Sequence, residues 1–132
     1  MNQAFIFRTL IIVSIITYVS WTAIPFFDVP YYSERTLNLL SYNGSDALII
    51  VPNYILWFIF SLWIILSIAI FNYWRYARVA YLVMLVISFF FVFISGLSIQ
   101  TPVEILFVSI TNILDGAIIA MAYFSQVSNQ FD

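Results

Sequence analysis

Four stretches of this chain are almost uninterrupted hydrocarbon: residues about 4–21, 48–74, 79–99 and 105–124. Each is close to the roughly 20 apolar residues that a helix needs to cross about 30 Å of lipid. In lipid no water satisfies a peptide group, so a spanning segment must bond its own backbone, and a helix does that alone. The expected fold is an all-α integral membrane protein, a single four-transmembrane-helix bundle over residues 1–132.

Composition agrees with a lipid solvent. The chain is 64% hydrophobic and 8% charged, against roughly a quarter charged in soluble domains. Its cations are Arg8, Arg35, Arg75 and Arg78, too few to neutralise a row of phosphates, so no nucleic-acid partner is expected. The absence of cysteine and histidine removes thiolate and imidazole metal sites, thiol nucleophiles and His-based triads. No cofactor and no metal site are expected.

The connections differ in length. About 26 residues, "TAIPFFDVPYYSERTLNLLSYNGSDA", join the first and second windows, with turn signals at Ile24-Pro25, Val29-Pro30 and Asn43-Gly44. Within this longer outer loop, Ser33 is placed to cap a short interfacial helix, "ERTLNLL". "NGS" at Asn43 matches a glycosylation acceptor, but an Asn-Gly turn is the expected use of those residues. "RYAR" and "QTPVE" are short, so two tight helical hairpins are expected. One arginine before an apolar run also suits a cleaved signal peptide; bulky Trp21 stands where a small-residue cleavage site belongs, so a retained span is expected.

Short loops bearing Lys or Arg stay cytoplasmic. Arg8 precedes the first span and Arg75 and Arg78 sit in the second connection, whereas Asp28, Glu34, Asp46 and Glu104 outnumber Arg35 in the other two. Both termini are therefore expected in the cytoplasm, with Arg8, Arg75 and Arg78 as cytoplasmic anchors, in the inner membrane of a bacterium. Tyr73, Trp74, Tyr76 and Tyr81 flank the arginine turn, and Tyr18, Trp21, Phe26, Phe27, Tyr31 and Tyr32 gather at the opposite side, as headgroup-level belts do.

The fourth window carries the costly residue. Asp115 in mid-span costs about 2.5 to 3.5 kcal/mol on insertion, while each Leu, Ile, Phe or Val returns only about 0.3 to 0.6. The span should need partners. Asn112, Gly116 and Ala120 recur at four-residue spacing with Asp115 beside Asn112, a polar and small-residue stripe that lets another backbone approach. Ile113, Ile118 and Met121 are expected on the opposite side, against lipid or general packing. Asp115 and Asn112 form the candidate intramembrane polar site, with Asp115 facing protein or a water-filled crevice. It is expected to be protonated, or bonded to Asn, Ser, Thr or Tyr groups of neighbouring spans. Arg8 is poorly placed to reach it, because both side chains lean toward their own helix N-termini, in opposite directions. Ser95 and Gly96, in "ISGLS", are a second close-approach patch, placed to receive the fourth span.

No nucleophile with a base, carboxylate pair or glycine-rich phosphate loop stands out, and Glu34 and Asp46 are expected to be solvated loop charges, so no catalytic residue and no enzyme are expected. The four-span plan and its closing "LDGAIIAMAYFS" resemble small uncharacterised bacterial inner-membrane proteins. In size and layout the chain is also similar to immunity proteins that protect a producer from pore-forming or membrane-targeting toxins. The missing catalytic chemistry, the small-residue stripe and the compact size point to a non-catalytic protein acting through intramembrane and outer-loop contacts, as an accessory subunit or, as the resemblance implies, an immunity-type protein. The expected partners are the lipid bilayer and another membrane protein or copies of itself. The alternative is a small oligomeric channel or proton- or cation-coupled transporter using Asp115; a single bundle of this size is expected to have little interior of its own, so several copies would build the path.

Overall fold

The computed structural model of the chain describes residues 2–28 and 31–131. All regular structure among them is helical: α1 (Gln3–Asp28), α2 (Glu34–Leu40), α3 (Asn53–Phe71), α4 (Ala77–Phe91), α5 (Pro102–Phe124) and a closing 3-10 helix (Gln126–Phe131). Three helices, α1, α3 and α5, are long and apolar enough to cross a membrane, and α4 is a shorter apolar helix. The Val29-Pro30 turn lies outside the described residues.

Several boundaries differ from the sequence expectation, each for a local reason. α1 does not turn at Ile24-Pro25 but runs on to Asp28 with Pro25 inside it; a proline there removes one helical donor and leaves the rest of an apolar helix in place. α3 begins five residues later than expected, because Pro52 holds an extended backbone (φ −62°, ψ 145°) before Asn53 and a proline disfavours helix in the residue before it. At its other end Asn72 is the cap and Tyr73 takes φ 56°. The Trp74 amide donates to the Ala69 carbonyl and the Tyr73 amide to Ile70, a Schellman closure with tyrosine where glycine is usual. α5 begins at Pro102, inside the expected loop. Thr101-Pro102-Val103-Glu104 is a capping box: the Glu104 amide donates to Thr101 Oγ1 (3.3 Å) and the Thr101 amide to Glu104 Oε2 (2.6 Å). The short helix capped by Ser33 is present, with the Thr36 amide donating to the Ser33 hydroxyl.

The largest difference is in the third window. α4 spans 15 residues, about 22 Å at 1.5 Å per residue, and the apolar chain beyond it leaves the helix. Residues 92–101 instead pair with the outer loop. The Gly44 amide donates to the Leu97 carbonyl (2.7 Å), Leu97 to Ser45 (2.8 Å), Leu48 to Ile94 (3.1 Å), and Ile99 to the Asn43 side-chain carbonyl (3.0 Å). A polar stretch of the outer loop and the non-helical apolar stretch after α4 thus satisfy part of each other's backbone. Gly96, at φ 78°, is the point of closest approach: a Cβ there would run into the Ser45 carbonyl oxygen and stand 2.6 Å from the Ala47 nitrogen. Ser95 bonds the Val92 carbonyl within the same turn. The close approach expected at Ser95 and Gly96 is therefore made to the outer loop and not to the fourth span.

α3 and α4 form one antiparallel pair, and α5 lies mainly along α1 rather than along α4, its expected hairpin partner. The two pairs are tight at one end, where Phe7, Ile11, Ile70, Ala77, Ile118 and Phe131 are buried together. The start of α1, the closing 3-10 helix and three of the four arginines meet here, with the Gln126 amide donating to Gln3 Oε1 (3.1 Å). Arg8 sits over the rings of Phe71 and Tyr73, each at 5.1 Å; Arg78 lies over Tyr123 (5.6 Å) and Phe131 (5.7 Å); Arg75 lies over Tyr76. We call this the arginine end, and the opposite one the loop end.

Candidate functional site

α5 turns Asp115 inward, where it is 5% exposed. Two hydroxyls from other helices donate to its Oδ1: Tyr81 of α4 at 2.7 Å and Ser14 of α1 at 3.2 Å. No hydrogen bond from the described residues reaches Oδ2. The Tyr81 ring is itself held edge-on by Trp63 of α3 (4.7 Å between centroids), so α1, α3, α4 and α5 all contribute around this carboxyl group. Arg8 is engaged with its two aromatic rings at the arginine end.

The face that buries Asp115 is rotated from the expected stripe. At about 100° per residue, Ile118 and Ala122 lie within about 60° of Asp115 on one side, while Gly116 and Ala120 lie about 100° and 140° away on the other. Ile118 and Ala122 are buried, at 1% and 0% exposure, so Ile118, expected opposite the polar site, belongs beside it. Gly116 and Ala120 are exposed, and nothing lies within 4 Å of a Cβ built on Gly116; no helix of this chain packs on them. Asn112, between the two faces, is exposed and borders the cavity described next.

From Asp115 toward the loop end the two helix pairs part around a cavity of about 540 Å3. Asp115, Ser14, Tyr81 and Thr111 lie at its deep end, Tyr18 and Trp63 on its walls, and Val92 and Gln100 toward the loop end. Among the described residues, Asp115 is the one charged residue in its lining. Tyr18 stacks on Phe60 (5.3 Å) and leans on Trp63 (6.1 Å); it is thus a wall of the cavity and not a belt residue. Behind Tyr18, Ile59 and Ser88 lies a second, more apolar cavity of about 530 Å3, bordered by Pro25, Leu56, Trp57 and Met84. Both are open clefts bordered in part by exposed side chains such as Trp57 and Asn112.

Tyr81 and Ser14 are the partners of Asp115 that sequence reasoning did not single out. Tyr81 was expected at the headgroup belt, because a tyrosine three residues from Arg78 reads as an anchor; it is 1% exposed and turned into the bundle. Ser14 did carry a signal. It lies about 16 Å along α1 from Gln3 and Asp115 about 14 Å from the end of α5, so antiparallel packing puts the two at matching depth. Among the described residues no group of three His, Cys, Asp or Glu side chains could hold a metal ion. The arrangement offers one sheltered carboxyl group, hydroxyl donors on one of its oxygens and aromatic walls. Comparison with protein-family models, curated proteins and solved structures finds no match to this chain.

Proposed function

We propose that this membrane protein is a non-catalytic, four-span protein of the bacterial inner membrane with both termini in the cytoplasm, and that it works as a small channel or proton- or cation-coupled transporter through Asp115. The observation that carries the reading is a carboxyl group 5% exposed to solvent that nevertheless borders a cavity of about 540 Å3 free of other charges among the described residues; ionisable groups at such depth mark ion and proton paths. The fourth crossing is α4 extended by the paired segment 92–101, which supplies the length that α4 lacks. The gathering of Arg8, Arg75 and Arg78 at one end supports a cytoplasmic arginine end. The test is reconstitution of the full chain in vesicles, with proton and monovalent-cation flux followed for wild type and Asp115→Asn. A flux that the substitution removes supports transport; no flux for any of these ions ends that reading.

A second reading, an accessory subunit or immunity-type protein acting through contacts with another membrane protein or with its own copies, is favoured by the open Gly116 and Ala120 face of α5. Small residues let helices approach closely where lipid provides no hydrophobic driving force. Gly116→Leu is then expected to lower the mass of the detergent-solubilised assembly while insertion continues; an unchanged mass assigns that face to lipid.

A further inference from the structure

We infer that the Asp115 cavity binds a lipophilic organic cation, its charge at Asp115 and its apolar body against the aromatic wall of Tyr18 and Trp63. This rests on the reading of the Asp115 cavity as the working site, and adds the class of its occupant. Charge comes first. Among the described residues Asp115 is the only charged one lining the cavity, and three of the arginines sit over aromatic rings at the arginine end, so the site is complementary to a cation and hostile to an anion. Tyr81 and Ser14 both use Oδ1, which leaves Oδ2 to an occupant. A buried carboxyl group without a counter-charge is costly to ionise, and a cation bound in exchange for its proton offsets that cost.

Size and lining then choose among cations. About 540 Å3 is within the range of pockets for drug-sized molecules and far beyond what a bare ion fills. A hydrated divalent ion surrenders its water only to several oxygen ligands, commonly more than one of them a carboxylate, whereas the deep end here offers one carboxyl group and a few hydroxyls. Aromatic faces attract a diffuse, weakly hydrated cation, and the attraction grows when water is excluded. The neighbouring apolar cavity behind Tyr18 and Ile59 provides further room for hydrocarbon on the loop-end side.

The probe is tetraphenylphosphonium, in equilibrium binding to the full chain in detergent, with neutral triphenylphosphine oxide as comparator and sodium as competitor. The expected result is saturable tetraphenylphosphonium binding at least about tenfold tighter than that of the neutral compound, not displaced by excess sodium, weakened about tenfold or more by Asp115→Asn and several-fold by Trp63→Leu. The comparator needs no variant, so the test survives should either substitution fail to fold. Equal binding of the neutral compound, undiminished binding by a folded Asp115→Asn chain, or no saturable binding overturns the inference. Sodium or proton flux that depends on Asp115, without tetraphenylphosphonium binding, leaves the transport reading standing and removes this one. Charge-selective binding without flux does the reverse.

Discussion

At the scale of single residues, the Asp115 cluster and Tyr73 make opposite predictions for the same chemical change. Tyr81→Phe removes the shorter of the two bonds to Asp115 Oδ1 (2.7 Å) and should lower stability by about 1 kcal/mol, the scale of hydroxyl bonds between membrane helices. Ser14→Ala, at 3.2 Å, should cost less. Because both hydroxyls serve one oxygen, the double substitution should depart from the sum of the singles. Unfolding by denaturing detergent, monitored by circular dichroism, reads all three. Tyr73 presents a buried hydroxyl with no partner among the described residues while its ring packs between Phe7 and Phe131. Tyr73→Phe keeps the ring and removes the orphan, so it should raise stability by about 1 kcal/mol; a loss of stability would mean that the hydroxyl has a partner.

At the scale of elements, the pairing of segments 43–48 and 94–99 has a built-in comparison. Gly44 and Gly96 have nearly the same left-handed backbone, φ 81° and 78°, yet a Cβ meets nothing within 4 Å at Gly44 and backbone atoms of Ser45 and Ala47 at Gly96. Gly44→Ala should cost about 1 to 2 kcal/mol, the penalty of the conformation alone. Gly96→Ala should cost clearly more and loosen the loop end, seen as faster amide exchange at Gly44 and Leu97. Equal costs would mean that the close approach is absent in solution. The helices themselves were largely legible: the apolar windows located α1, α3 and α5. The start of α5 was also written in the sequence, as Thr-x-x-Glu with proline after the threonine, although those residues read first as a loop. The end of α4 was not legible, because "VFISGL" is as apolar as the helix before it and hydropathy does not separate a helix from extended chain whose backbone is paired elsewhere.

For the whole molecule, the parting of the α1/α5 and α3/α4 pairs toward the loop end predicts which positions water-borne reagents reach. The chain has no cysteine, so single replacements can be labelled without background. Thr111→Cys, in the cavity lining, should react with small thiol reagents. Ala122→Cys, fully buried at the tight end, should stay unlabelled; equal labelling of both would mean that the pairs do not part. The sequence by itself determined the solvent, the helical class, the apolar stretches and the cost of one carboxyl group in mid-span, since all of these follow from the price of taking peptide groups and charge out of water. Which face of α5 turns inward, and that Tyr81 and Ser14 meet Asp115 there, was decided only by tertiary packing. Lipid is as apolar as a protein core, so hydropathy along α5 does not distinguish the side that meets helices from the side that meets acyl chains.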